Sequence, residues 1–220
     1  MRQHVNPLRR FFQLYIEIPN PEDLFADSSL PIHLDIGCAK GSFLLDYARK
    51  QNQWNFLGID IRDSLVKFAE RERKKLELNN LKFLFCNANV SLENWLLRLE
   101  SNSLKRVSIQ FPDPWFKKRH HKRRVLQPSL LFSLAAAMEP GSELFLQSDI
   151  YSVIQPMVEL IQQSECFENI SHLDSYWLRD NPLHVNTERE KYVLLKGLPV
   201  YRVLFYRNKK TPSRILNNYS

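Results

Sequence analysis

The 220-residue sequence contains no Cys-x-x-Cys pair. Its three cysteines, Cys38, Cys86 and Cys166, lie far apart. This argues against a disulfide framework and a zinc site, and it fits a reducing compartment. No apolar run approaches the ~18 residues that would suggest a membrane-spanning helix. The first residues, MRQHVNPLRRFFQLYIEI, lack an uninterrupted apolar h-region and a small-residue cleavage site, so no signal peptide is expected. Internal repeats and low-complexity segments are absent as well. These absences predict a soluble cytoplasmic protein with no membrane and no metal partner.

What is there is ordinary in bulk and uneven in detail. A composition of 44% hydrophobic and 25% charged residues is that of a globular protein. The length suggests one domain, which can bury roughly 70% of its unfolded surface without disulfides. The formal net charge is +7, and the segment Lys117 to Arg124 alone contributes +6. That segment, KKRHHKRR, has no acid to balance it. Most charge runs are solvated loops. A run this concentrated and unbalanced points instead to a polyanionic partner.

From residue 31 short apolar runs alternate with longer amphipathic ones. IHLDIG, NFLGIDI, LKFLFC, LKRVSIQF and SELFLQSD read as strands. GSFLLDYARKQN, SLVKFAERERKKLELNN, LENWLLRL, QPSLLFSLAAAM and YSVIQPMVELIQQS read as helices. YVLLKGLPVYRVLFYR reads as strand, turn, strand, an antiparallel closing hairpin. Strands alternating with helices predict βαβ units, hence an α/β fold with a mostly parallel sheet and helices on both faces. Residues 1–30 are expected to form an arm that is packed on the domain or partly disordered, residues 31–210 a single domain, and residues 211–220 a tail.

Right-handed crossovers put all strand C-termini on one edge, where open sheets of this kind bind ligands. A coherent polar set falls there: Asp35 and Gly37 after the first strand, Asp60 after the second, Asn87 after the third, Asp113 after the fourth and Asp149 after the fifth. Packing alone does not require this. Gly37 and Gly41 open the turn into the first helix, where glycine permits close backbone approach to a ligand. The turn is neither a dinucleotide fingerprint, because Ala39 and Ser42 replace its later glycines, nor a P-loop. With an acid at Asp60 suited to ribose hydroxyls, the pattern predicts a nucleoside cofactor without pyrophosphate, a description that S-adenosyl-L-methionine fits.

With these residues in place the sequence resembles the bacterial-type tRNA (guanine-N7-)-methyltransferases, class I enzymes dependent on S-adenosyl-L-methionine. The resemblance runs from about Ile32 to Arg207. LDIGCAKGSFLLDYA resembles the family's cofactor loop, NFLGID its ribose-binding strand, LFLQSDIYSV and NTEREKY its later motifs. QFPDPWFKKRHHKRRVLQPSLL is the most specific match. The resemblance implies a Rossmann-like fold and methylation of N7 of a guanine in tRNA, guanine 46 of the variable loop in the family. It also implies that Asp35 and the Gly37–Gly41 loop hold the methionine end of the cofactor, Asp60 the ribose, and Asn87 a place near the adenine. Asn87 stands where the family commonly has Asp, and Ala39 where it commonly has Gly. Lys117, Asp149, Thr187 and Glu190 are implied substrate contacts. Thr187 and Glu190 also have capping-box spacing, and both roles stand side by side.

N7 of guanine is already nucleophilic, and its methylation releases no proton but leaves a positive ring. The reaction needs an in-line near-attack geometry and a negative group near the ring, more than it needs a strong base. Asp113, stiffened by Pro112 and Pro114, suits that catalytic task beside the cofactor. Arg119, Lys122, Arg123 and Arg124 would follow the tRNA backbone, and His120 and His121 would join the phosphate contacts. Trp115 is open between base stacking and core packing. A class I methyltransferase acting on another RNA and a non-catalytic RNA-binding protein of the same fold are the competing readings. Monomer and homodimer are both open.

Overall fold

The computed structural model describes residues 5–169 and 176–213, except for the side chain of Lys118. Residues 1–4 of the expected arm and 214–220 of the expected tail lie outside the described residues. The apolar runs form strands β1 (Ile32–Ile36), β2 (Asn55–Asp60), β3 (Leu81–Phe85), β4 (Leu104–Gln110) and β5 (Glu143–Ser148). They are short and rich in Ile, Leu, Val and Phe, which favours strand over buried helix. A one-turn helix α1 (Pro21–Leu24) precedes β1. The amphipathic stretches form α2 (Ser42–Ala48), α3 (Asp63–Lys75), α4 (Ala88–Arg98), α5 (Pro128–Ala137) and α6 (Tyr151–Ser164).

The sheet order is β3-β2-β1-β4-β5-β7-β6, with β7 (Tyr201–Arg207) antiparallel to both its neighbours and β6 (Phe167–Glu168) at the edge. Chain order reverses between β1 and β4. That is the switch point at which doubly wound sheets open a crevice for ligands. Alternate residues of β1 serve different layers. Ile32, Leu34 and Ile36 join the core formed with α4, α5 and α6. His33 and Asp35 face the layer of α2 and α3, whose apolar members include Phe43, Leu44, Val66 and Ala69. Both faces are therefore covered, as the dense apolar runs require.

The expected closing hairpin is half right. Its second strand is β7, but Tyr192–Leu195 belongs to helix α7 (Glu188–Leu195). A capping box at the start of α7 explains the difference. Thr187 Oγ1 accepts from Glu190 N at 3.0 Å, and the Glu190 carboxylate accepts from Thr187 N at 3.3 Å. Both orphan donors are satisfied, so the helix nucleates there and runs through the apolar residues. The antiparallel partner of β7 at the edge is β6, too short to be seen as a pattern.

The N-terminal segment packs along α4. Ile18 is buried, Trp95 Nε1 donates to Pro19 O at 3.0 Å, and the Arg98 guanidinium donates to Ile18 O at 2.7 Å. All three cysteines are free thiols and buried. No helix among the described residues is long and apolar enough to cross a membrane.

Candidate active site

The C-terminal ends of β1, β2 and β4 border a cavity of about 310 Å³. Of the residues predicted from sequence, Asp35, Gly37, Asp60, Asn87, Asp113, Trp115, Arg123 and Thr187 line it. Gly41, Lys117, Arg119, His120, His121, Lys122, Arg124, Asp149 and Glu190 do not.

Asp35 is 4% exposed and accepts hydrogen bonds on Oδ1 from Ser108 Oγ (2.5 Å) and Gln110 Nε2 (3.2 Å). Burial pushes its carboxyl up to about 6, against the lowering effect of those two bonds. No cation pairs with it among the described residues. Asp60 is treated in the opposite way. Its Oδ1 accepts from Arg62 N (2.8 Å) and Arg62 Nε (2.9 Å), its Oδ2 from Arg62 Nη2 (2.8 Å) and Ala39 N (2.9 Å). Four donors fill the acceptor sites of one carboxylate, so a ribose diol reaches Asp60 only where the Arg62 fork yields.

The loop after β1 bends through Gly37 (φ 91°), Ala39 (φ 52°) and Gly41 (φ 73°). Ala39 carries a left-handed backbone that costs a residue with a Cβ about 1–2 kcal/mol. Gly41 has another reason to be glycine. A Cβ there would meet the Phe83 ring at 2.4 Å and Ala69 at 2.9 Å, so its place is set by helix–sheet packing and not by the cavity. Asn87 caps α4 by accepting from Asn89 N (3.1 Å), and its amide donates to Phe12 O (3.0 Å) and Pro7 O (3.4 Å). Val5 and Pro7 complete the wall at that end.

Asp113 leaves the sheet through Phe111, which is buried with φ 48° and donates its N–H to Gln147 O at 2.8 Å. Such left-handed strain in a bulky residue is costly and clusters at functional sites. Trp115 is half-buried at the cavity wall, not in the core. The Arg123 guanidinium lies 5.0 Å from its ring centroid, and the His120 ring meets it edge-on at 5.4 Å. The basic run itself is a 3-10 helix, Lys118–Arg123. Lys117, Arg119 and Lys122 are exposed, whereas His121, Arg123 and Arg124 are half-buried. His120 is held below its usual pKa by desolvation and by Arg123, Arg119 and Lys117.

Asp149 pairs with Arg189, a cavity residue that the sequence pattern did not single out. Ser42 Oγ donates to Glu188 Oε1 at 2.8 Å, which joins the starts of α2 and α7 at the cavity. Glu190 is 0% exposed. Arg202 Nη2 (2.8 Å), Asn181 Nδ2 (2.9 Å) and Gln147 Nε2 (3.1 Å) all donate to it. Its carboxylate is held within the fold, and what it presents to the cavity is Thr187. Arg62, Ser108, Gln110 and Arg189 are the residues missed. Arg62 had a signal, since it follows Asp60 by two residues. Ser108 and Gln110 are polar interruptions in an apolar strand.

The donor set suits a cationic nucleoside. A cavity of this volume is of ligand size, two buried acids border it, and one of them lacks a counter-cation among the described residues. The glycine turn lacks the pattern of a pyrophosphate site. Strand order, switch-point cavity and strand-end acids together define a Rossmann-like α/β protein with a ligand site at the switch point of its sheet. An antibiotic-related methyltransferase of known structure superposes on 89% of this chain and 98% of its own with a TM-score of 0.56 at 16% identity, a likeness of fold. A family profile described as "Putative methyltransferase" matches residues 29–203. The tRNA (guanine-N(7)-)-methyltransferase of Prochlorococcus marinus (strain MIT 9313) is 61% identical over 99% of this chain and 92% of its own length. The protein of the same name from Synechococcus sp. (strain WH7803) is 58% identical over 96% and 89%. The chain belongs to this family of methyltransferases.

Proposed function

We propose that the protein methylates N7 of a guanine in tRNA, yielding 7-methylguanosine, with guanine 46 of the variable loop as the target and S-adenosyl-L-methionine as methyl donor. The observation that carries this is Asp113, set on the wall of the same cavity as Asp35 and Asp60 in a chain 61% identical to a protein of that name. When bound, the cofactor supplies a methyl group on a cationic sulfonium. Asp35 would hold the ammonium of its methionine end, the lone cation that this buried acid lacks. Asp60 would hold the ribose, and the Asn87 end of the cavity, closed by Val5 and Pro7, the adenine. Asp113 accepts hydrogen bonds from the guanine edge and offsets the charge that grows on the ring. No proton is taken from N7, so Asp113 acts as an orienting carboxylate and not as a base.

Asp149 and Glu190 act on the substrate through the groups they place, Arg189 and Thr187. Lys117, Arg119 and Lys122 contact phosphate. Arg123 and His120 hold Trp115 at the cavity, where its ring can meet the target base. The domain organisation that goes with this is a single methyltransferase domain over 31–210, with the preceding segment contributing one wall of its cavity, in a cytoplasmic enzyme.

Incubation with unmodified tRNA and the methyl donor, followed by mass spectrometry of nucleosides, tests the proposal. It predicts 7-methylguanosine. Its absence in protein that still binds S-adenosylhomocysteine would leave an RNA-binding protein with an idle site. Asp113→Ala should lower methyl transfer by at least ~100-fold, as expected when a group acting at the transition state is removed, and leave S-adenosylhomocysteine affinity nearly unchanged. A large loss of that affinity would move Asp113 to a cofactor role.

A further inference from the structure

The polar side chains inside the sheet form one hydrogen-bonded row that crosses β1, β4 and β5 and ends on α7. Each bond in it has a forced direction. Ionised Asp35 and Glu190 can only accept. Ser108 Oγ therefore donates to Asp35 Oδ1 (2.5 Å) and accepts from His33 Nε2 (2.8 Å). That leaves His33 Nδ1 bare, and it is buried with no partner among the described residues. Gln110 turns its NH2 toward Asp35, so its carbonyl oxygen faces Gln147, whose Nε2 donates to it at 2.7 Å. The same Nε2 donates to Glu190 Oε2 at 3.1 Å. Both hydrogens of Gln147 are thus used, and its Oε1 is buried with no partner among the described residues. Two acceptor-only ends joined through two amides must leave one acceptor over. Orphaned buried acceptors are costly, and here they mark the polarity of the row, with every donor aimed toward a carboxylate.

Gln147 is 0% exposed and is not part of the cavity wall. It lies beside Gln110 in the sheet register and beside Arg202 on its other side. We propose that Gln147 is a positioning residue for methyl-donor binding: it fixes the orientation of the Gln110 carboxamide, so that a donor faces Asp35, and it takes its own orientation from Glu190. The helix that Thr187 caps and the acid at the opposite side of the cavity are thereby set by one row of bonds. The inference rests on Asp35 as the partner of the cofactor ammonium. Other titratable groups around Asp35 are Asp60 from β2, Cys38 from the turn after β1 and His33 behind Ser108. Arg62 and Asp113 line the same cavity.

Calorimetric titration with S-adenosylhomocysteine across acid to mildly alkaline pH tests this on the full chain, comparing wild type, Gln147→Met, Gln110→Met and the double variant. Gln147→Met should weaken binding roughly tenfold near neutrality, the worth of a hydrogen bond to a charged group. It should also raise the pH below which binding is lost by about one unit. Because Gln147 reaches Asp35 only through Gln110, the double variant should be no weaker than Gln110→Met. A folded Gln147→Met with wild-type affinity and pH profile overturns the inference, as do effects that add in the double variant. Should Gln147→Met not fold, Gln147→Asn, an amide too short to reach Gln110, is judged on the same outcomes. Wild-type protein that binds no S-adenosylhomocysteine at any pH overturns the cofactor assignment itself, a different failure.

Discussion

Two acids one strand apart show how the same residue type is held in two electrostatic settings. Asp35 is buried with no paired cation among the described residues, and its carboxyl is pushed up to about 6 from 3.8. Between about pH 4 and 6 the folded protein holds a proton on Asp35 that the unfolded chain has released, so stability falls as pH rises through that window. Above it the ionised side chain costs about 3 kcal/mol. Asp35→Asn should therefore raise the unfolding temperature of the ligand-free protein near neutral pH by roughly 6–12 °C, given 2–4 °C per kcal/mol for a chain of this size. The gain should shrink as pH falls toward 4, and S-adenosylhomocysteine binding should be lost. An unchanged unfolding temperature would mean that the ionised Asp35 side chain carries no such cost in the ligand-free fold. The strand-end acids were legible in the sequence because an acid in an apolar run has no packing reason to be there. Their partners were less so, because the donors on Asp35 come from β4, and strand register is not written in either strand alone.

At the scale of elements, the basic arm is sorted by its helix type. A 3-10 helix repeats every three residues, so side chains at i and i+3 share a side. His120 and Arg123 form one column and face Trp115. Arg119 and Lys122 form another and are exposed. Replacing Arg119 and Lys122 together by Ala should weaken tRNA binding and make its log–log salt slope less negative by up to about 2. Arg123→Ala should change the slope less and disturb Trp115, which its fluorescence would report. Equal slopes for the two variants would mean that the columns do not divide the work. The charge of this arm was plain in the sequence, but its division was not, because a run of cations has no period until the backbone supplies one. Helix α7 shows the reverse. Its capping box was visible as Thr187 and Glu190, yet the β-prone Tyr192–Leu195 outweighed it in pattern, whereas two satisfied orphan donors decided the fold.

For the whole molecule, alternation of strands and helices was enough to place the ligand edge, since parallel connections leave little freedom in which end of each strand gathers. The N-terminal segment carried no such signal. Its contacts are with backbone and with α4, far away in sequence, and they use Ile18, Leu24 and Phe25 as core members. Val5 and Pro7 close one end of the cavity, and Asn87 is tied to Pro7 and Phe12. Removing residues 1–14 spares the Ile18 anchor. The shortened protein should still fold, with S-adenosylhomocysteine affinity lowered roughly tenfold through the lost apolar wall and the unpaired Asn87 amide. Calorimetry beside a thermal melt checks both parts. Full affinity would place the adenine elsewhere.

The Arg62 fork on Asp60 has a consequence for selectivity. Because the carboxylate is already satisfied, contact with a sugar there is an exchange of one set of bonds for another, and only the difference between them appears as affinity. A diol that offers two hydroxyls can replace the fork. A 2′-deoxy analogue offers one and leaves the exchange incomplete. On the proposed placement of the ribose, that end of the cavity would discriminate more than anchor, and the grip on the cofactor would fall to Asp35, the acid with no paired cation among the described residues.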